Sequence, residues 1–143
     1  MSAAYDPQNT FAKILKQKLP CCKVYEDAFS LAFMDIMPLV DGHVLVISKT
    51  PTRNILDCPA EALTGMILTI QRIARATMHA FQADGITIQQ FNETAGGQEI
   101  FHLHFHVLPR KTGRQIRKRP VTVVETSILQ VQAAAIRNAM SSL

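Results

Sequence analysis

Three histidines occupy alternate positions in the run GGQEIFHLHFHVLPRK, Gly96 to Lys111: His102, His104 and His106. Side chains on a strand alternate between faces, so a strand here puts the three imidazoles on one face and Leu103, Phe105 and Val107 on the other. The apolar face packs. A row of imidazoles left buried and unpaired would cost stability, so the histidine face is one that meets a ligand. Two chemistries suit it. Alternate strand histidines chelate zinc, and His43 or Asp35 could complete the ligand set. Alternatively, a neutral imidazole nitrogen attacks phosphorus and carries the group covalently, while its neighbours handle protons and developing charge. Histidine supplies the unprotonated nitrogen at neutral pH. This stretch alone leaves the two readings even.

The preceding turn, Asn92-Glu93-Thr94-Ala95-Gly96-Gly97-Gln98, tilts the balance. Glycines let backbone N–H groups approach phosphate oxygens, and the Gln98 amide can donate to an oxygen. A Gly-Gly pair alone reads as a plain hairpin turn; next to H-x-H-x-H it suggests a phosphate site.

The elements that must position these groups follow from patterning. Asn9 and Thr10 cap a short helix, Phe11 to Leu19, ended by Pro20. Strands are expected at Lys23–Glu26, Ser30–Asp35 and His43–Lys49, the first two joined by Asp27-Ala28-Phe29. The clearest helix runs from Ala60 to Phe81, with Leu63, Met66, Ile67, Ile70, Ala74, Met78 and Phe81 at helical spacing. Ile86–Phe91 and Ile100–Leu108 are strands four and five. Thr126 to Leu143 is a C-terminal helix with Ile128, Leu129, Ala133, Ile136 and Met140 inward. Hairpin-joined strands with separate helices predict an α+β domain with an antiparallel sheet.

The 143 residues suffice for one domain, residues 1–143, with the first eight flexible and 113–143 an extension on the domain or on a dimer partner. Nothing at the start resembles a secretory signal, and Glu61, Arg72 and Arg75 exclude a membrane span in the long helix. Three cysteines, two of them adjacent, make a poor disulfide framework and point to a reducing, cytoplasmic setting. Much of the +4 net charge lies in Arg110 to Arg119, six basic residues and no acidic one. Without interleaved aromatics the run reads as a solvated loop rather than a nucleic-acid site; attraction of a small anion is the other use for it. His79 reads as solvated beside Arg72 and Arg75, and Cys58 has no base partner in view.

The run HLHFHVL resembles the His-φ-His-φ-His-φ-φ signature of the histidine triad (HIT) family, φ being hydrophobic. GGQ before it and PRK after it also resemble that family, as do TFAKILKQKLP, VYED, LAFMDIMP and GHVLVISK in that order. The resemblance spans roughly residues 9 to 112, and several ordered motifs are more specific than one. It implies a HIT-like fold, a five-stranded antiparallel sheet with two main helices, here with a C-terminal helix added. It also implies a homodimer and metal-free cleavage of a purine nucleotide at its α-phosphate, with no cofactor.

By the same resemblance His104 is the nucleophile, His106 contacts phosphate oxygens or the bridging atom, His102 orients His104 through its carbonyl, and His43 completes the cluster. Asn92 and Gln98 would hold the phosphate and leaving-group side and Asp35 the ribose hydroxyls. Phe11, Ile14, Phe33 and Ile36 would line the base pocket. Two departures matter. Glu99 stands where eukaryotic branches often carry Ser or Thr; its backbone N–H can still donate to phosphate, and its side chain is expected on the other face. Cysteines found near the first helix in zinc-holding bacterial members are replaced by Asn9, Thr10 and Ala12, with Cys21 and Cys22 too late in the chain, so no zinc is expected. The expected activity is a nucleoside phosphoramidase or related nucleotidyl hydrolase. The rivals are a dinucleoside polyphosphate hydrolase, towards which HVLPRKTG leans, a nucleotide-binding regulatory module with little turnover, and a histidine metalloprotein.

Overall fold

The computed structural model describes residues 4–119 and 121–143. In chain order the elements are α1 (Thr10–Leu15), β1 (Lys23–Glu26), β2 (Ser30–Met34), β3 (Val44–Ser48), α2 (Ala60–Ala80), β4 (Gly85–Gln89), β5 (His104–Arg110) and α3 (Thr126–Ser142). Single 3-10 turns lie at Ile55–Asp57 and Thr94–Gly96. The strands form one antiparallel sheet ordered β1-β2-β3-β5-β4. This is the α+β architecture the patterning predicts.

Register separates the two faces. Val44 pairs with Val107 and Val46 with Phe105, and these side chains join Ala32 and Met34 in a core closed by α2 and α3. Leu45 pairs with His106 and Ile47 with His104 on the opposite face. There Leu31, Phe33, Leu45 and Ile47 pack under Phe11 of α1. The histidines therefore stand where β5 would otherwise present aliphatic residues, and α1 covers their apolar flank.

Four elements differ markedly from expectation. Helix α1 ends at Leu15 rather than Leu19, because Gln17 adopts φ 60°, which no right-handed helix continues through. Strand β5 begins at His104, not Ile100. Leu103 still accepts from Ser48 N–H of β3 at 3.1 Å, but its own N–H turns away to Thr52 O at 3.0 Å. The inward face of α2 is turned from the one expected. Ala62, Met66, Thr69, Ile70, Ile73, Ala76 and Thr77 are buried, while Ile67 is exposed. Two threonines occupy this face because their hydroxyls are satisfied, Thr69 by Asp27 Oδ2 and Thr77 by Ala74 O. Helix α3 likewise buries Leu129, Ala133, Ile136 and Ala139 and leaves Ile128 exposed.

Residues 113–119 and 121–143 pack on their own domain. Arg117 N–H donates to Leu39 O at 2.8 Å, Val124 N–H donates to Ile36 O at 2.9 Å, and α3 lies on α2 and β1. At the other end, residues 1–3 lie outside the described residues. The rest of the stretch expected to be flexible is tied down: Gln8 N–H donates to Asp6 Oδ1 at 2.8 Å, and the Tyr5 hydroxyl reaches His102. All three cysteines are free thiols. Among the described residues no helix is long and apolar enough to cross a membrane.

Candidate active site

His104, the first residue of β5 and the partner of Ile47 in β3, is 8% exposed. Its Nδ1 lies 2.6 Å from the carbonyl oxygen of His102. A carbonyl only accepts, so Nδ1 carries the proton and Nε2 keeps its lone pair. Burial lowers the His104 pKa, and the carbonyl bond opposes that only in part, so the ring is neutral at pH 7. The result is an oriented ring with an unprotonated Nε2.

The carbonyl that holds it is itself held. His102 is fully buried just ahead of β5 and shares the Phe11 ring with His104, at centroid distances of 6.2 and 4.8 Å. Its Nε2–H donates to Ser48 O at 2.6 Å, and its Nδ1 accepts from the Tyr5 hydroxyl at 2.7 Å. Both ring nitrogens are spent on framework, so His102 acts through its backbone.

His106 belongs to a second chain of contacts. Leu39 N–H donates to His43 Nδ1 at 3.0 Å, which puts the proton of neutral His43 on Nε2. That Nε2 lies 2.9 Å from His106 Nδ1, which must accept. His106 therefore presents an N–H at Nε2. Burial pushes His43 down to about 4. Burial, then the neighbouring His104, His43 and Arg119, push His106 down to about 3. Asp35 Oδ2 stands 3.5 Å from His43 Nε2, and Asp35 Oδ1 accepts from Met37 N–H at 2.8 Å. Burial raises the Asp35 pKa, partly offset by that N–H and by Arg119.

The loop before β5 is a frame rather than an open phosphate cradle. Gly96 N–H, Gly97 N–H and Gln98 N–H all bond within the loop, to Glu93, Thr94 and Glu93 carbonyls respectively, each at 3.0 Å. Gln98 is 3% exposed and its amide is saturated. Oε1 accepts from Glu93 N–H and Asn54 Nδ2, and Nε2 donates to Arg53 O and Ile100 O. The side chain has nothing left for a phosphate, which corrects the role expected for it. Among the described residues none accepts from Glu99 N–H. Asn92 Oδ1 accepts from Ile55 N–H at 2.9 Å, and its Nδ2 donates to Gln90 Oε1, with a second N–H to spare.

Phe11 stands edge-on to His104 with centroids 4.8 Å apart and meets Phe33 at 5.8 Å. Ile14 is half-buried against the same cluster. Ile36, expected beside them, is 52% exposed, and its carbonyl holds Val124. Glu99 is exposed, its carboxylate 3.6 Å from Arg119.

Tyr5, the Leu39 amide, Arg53, Asn54 and Arg119 escape sequence reasoning. Only Asn54 carries a local signal, the cap spacing Asn54-x-x-Asp57 that it satisfies reciprocally. The others act across 20 to 97 positions or through backbone.

Asp35, His43 and His106 place one ligand atom each within 4.8 Å of one another. Two imidazole nitrogens and a carboxylate suit a zinc-type ion, although the proton between His43 and His106 would have to leave. The expectation of no metal thus has a fitting donor set against it.

The family model for the HIT domain matches residues 16–113. A crystal structure of a HIT-like protein from Bartonella henselae is 48% identical, with TM-score 0.89 over 95% of this chain and 99% of that one. A zinc-bound histidine triad protein from Mycobacterium smegmatis is 33% identical, with TM-score 0.83 over 94% of each chain. Saccharomyces cerevisiae adenosine 5'-monophosphoramidase is 35% identical over 109 residues, 76% of this chain and 66% of that protein. Arabidopsis thaliana adenylylsulfatase is 36% identical over 101 residues, 71% and 51% of the two.

Proposed function

The chain belongs to the histidine triad family, and from that premise we propose that it hydrolyses nucleoside phosphoramidates and related nucleotidyl compounds at the α-phosphate through a nucleotidyl group on His104. One observation carries the reading: the 2.6 Å bond from His104 Nδ1 to the His102 carbonyl, which aims a free Nε2 lone pair out of the sheet face. The amidase and sulfatase activities named for the yeast and plant relatives support the substrate class.

The purine lies against Phe11 and Phe33, and Asp35 takes the ribose hydroxyls. Glu99 N–H and the spare Asn92 N–H hold phosphate oxygens. His104 Nε2 attacks phosphorus, the P–Nε2 bond forms and the bond to the leaving group breaks. The His106 Nε2–H donates to the departing atom or to the oxygen gaining charge. A weakly basic leaving group needs no more than this hydrogen bond. An amine must take a proton, and the negative substrate raises the His106 pKa towards supplying it. Water then attacks phosphorus, the P–Nε2 bond breaks, and nucleoside monophosphate departs.

Two chains pair in this reading through the β4 edge of the sheet and the neighbouring surface, where Ile88 of β4 and Ile67 and Leu68 of α2 are exposed.

The test is turnover of adenosine phosphoramidate and a diadenosine polyphosphate side by side, with a chelator present, for the native chain and His104→Ala. The native chain cleaves at least one, and the variant loses 10³-fold or more, on the order expected for a nucleophile. Faster cleavage of the polyphosphate would move the protein to that branch. Binding without cleavage would make the histidine face a nucleotide-recognition module, and loss of activity on chelation would make it a metalloenzyme.

A further inference from the structure

Arg119 lies in a basic segment stitched to the turn that links Asp35 to His43. Arg117 N–H bonds Leu39 O at 2.8 Å, Arg117 Nη1 donates to Pro38 O at 3.0 Å, and Val124 N–H bonds Ile36 O at 2.9 Å. Leu39 is the residue whose own N–H fixes His43, so this stitching sets Arg119 beside the histidine cluster. Its Nη1 reaches across to Glu99 Oε2 at 3.6 Å. Glu99 directly follows the saturated Gln98 in the loop ahead of the histidines. The bridge thus joins the C-terminal extension to the site loop.

That bridge is weak. Both side chains are mostly exposed, 60% for Arg119 and 74% for Glu99, and such pairs contribute about 0–1 kcal/mol. Among the described residues this one long contact is the guanidinium's partner, and a planar guanidinium prefers two oxygens of an oxyanion presented together. Without it, Glu99 would repel an anion at this position. The positive charge of Arg119 is felt at Asp35, His43 and His106.

An in-line attack by Nε2 puts the leaving group on the side of phosphorus opposite His104, facing outwards, where the exposed Glu99–Arg119 bridge borders the site loop. Resting on the nucleotidyl-hydrolase reading above, we infer that Arg119 is a specificity residue for anionic leaving groups: it swings from Glu99 onto a sulfate or phosphate carried on the α-phosphate. The structure thereby favours mixed anhydrides of a nucleotide with an oxyanion over amides of the same nucleotide.

The experiment measures equilibrium affinity for adenosine 5'-phosphosulfate and adenosine 5'-phosphoramidate in the His104→Ala background, where neither is consumed. In that background Arg119→Ala should lower the phosphosulfate-to-phosphoramidate affinity ratio about tenfold, a charge-assisted bidentate contact. Arg119→Lys should restore only part of it, and Glu99→Gln should raise the ratio several-fold by releasing the guanidinium. An equal loss for both compounds would reduce Arg119 to general attraction of nucleotide charge and overturn the inference. So would an unchanged ratio, or binding of neither compound. Selective binding that survives in a chain with no turnover would sustain the inference while the hydrolase reading fails.

Discussion

At the residue scale, the site is a set of tautomers fixed by backbone. The carbonyls of His102 and Ser48 and the N–H of Leu39 decide where protons sit on three rings, and the Tyr5 hydroxyl takes the other ring nitrogen of His102. Tyr5 is the most remote of these groups, 97 positions from its partner. Replacing it with Phe leaves His102 Nδ1 a buried acceptor without a donor, at a cost of about 1–3 kcal/mol. The His102 carbonyl then loses one of its two anchors, so His104 is aimed less well. Tyr5→Phe should lower kcat about three- to tenfold with KM nearly unchanged, and should lower the urea midpoint. An unchanged kcat would mean that the Ser48 contact alone holds the carbonyl.

At the element scale, the loop from Asn92 to Leu103 behaves as a rigid bracket tied to residues 48–57. Arg53 pairs with Glu93 at 2.8 Å and lies 4.1 Å over the Phe101 ring, and Asn54 bonds Glu93 and Gln98. Gly97 is the tight point: its φ is +96°, and an added Cβ would meet Phe91 Cδ1 at 3.2 Å. Phe91 in turn stands edge-on to His106, centroids 5.9 Å apart. Gly97→Ala should therefore cost about 1–2 kcal/mol in urea unfolding and lower kcat as Phe91 shifts; equal stability would show that the loop relaxes freely. The alternation of His104 and His106 was legible because a strand has period two, and so was the pairing of His43 with them through motif order. The late start of β5 at His104 was not legible, because the bond from Leu103 N–H to Thr52 O is a tertiary contact that no local pattern shows. Gln98 was misread for a related reason. An amide beside two glycines looks free in sequence, and only the fold brings Arg53, Asn54 and Glu93 to it. The rotation of α2 had the same kind of origin, since hydroxyl partners for Thr69 and Thr77 cannot be seen from hydropathy.

At the scale of the whole molecule, one sheet buries four histidines in neutral form, and this ties stability to pH. His43 is lowered to about 4 and His106 to about 3, chiefly by burial, and His102 and His104 are lowered for the same reason. In the unfolded chain each titrates near 6.5. Below that value the unfolded state binds protons that the folded state refuses, so stability falls as pH falls, by up to about 1.4 kcal/mol per pH unit for each histidine. The loss begins near pH 6.5 and continues to the folded values near 4 and 3. Asp35 works in the opposite sense, because burial raises its pKa and its protonation favours the folded state at low pH. One carboxyl does not offset four imidazoles. Urea midpoints measured between pH 7.5 and 4.5 should hold level at the top of the range and fall steadily below about 6.5. Saturating adenosine monophosphate should hold the midpoint up at low pH, because its negative charge offers a partner to any imidazolium that forms. A midpoint unchanged down to pH 5 would show that the cluster admits protons freely. His104 would then be a cation, with no lone pair to attack with, at the acid edge of neutrality.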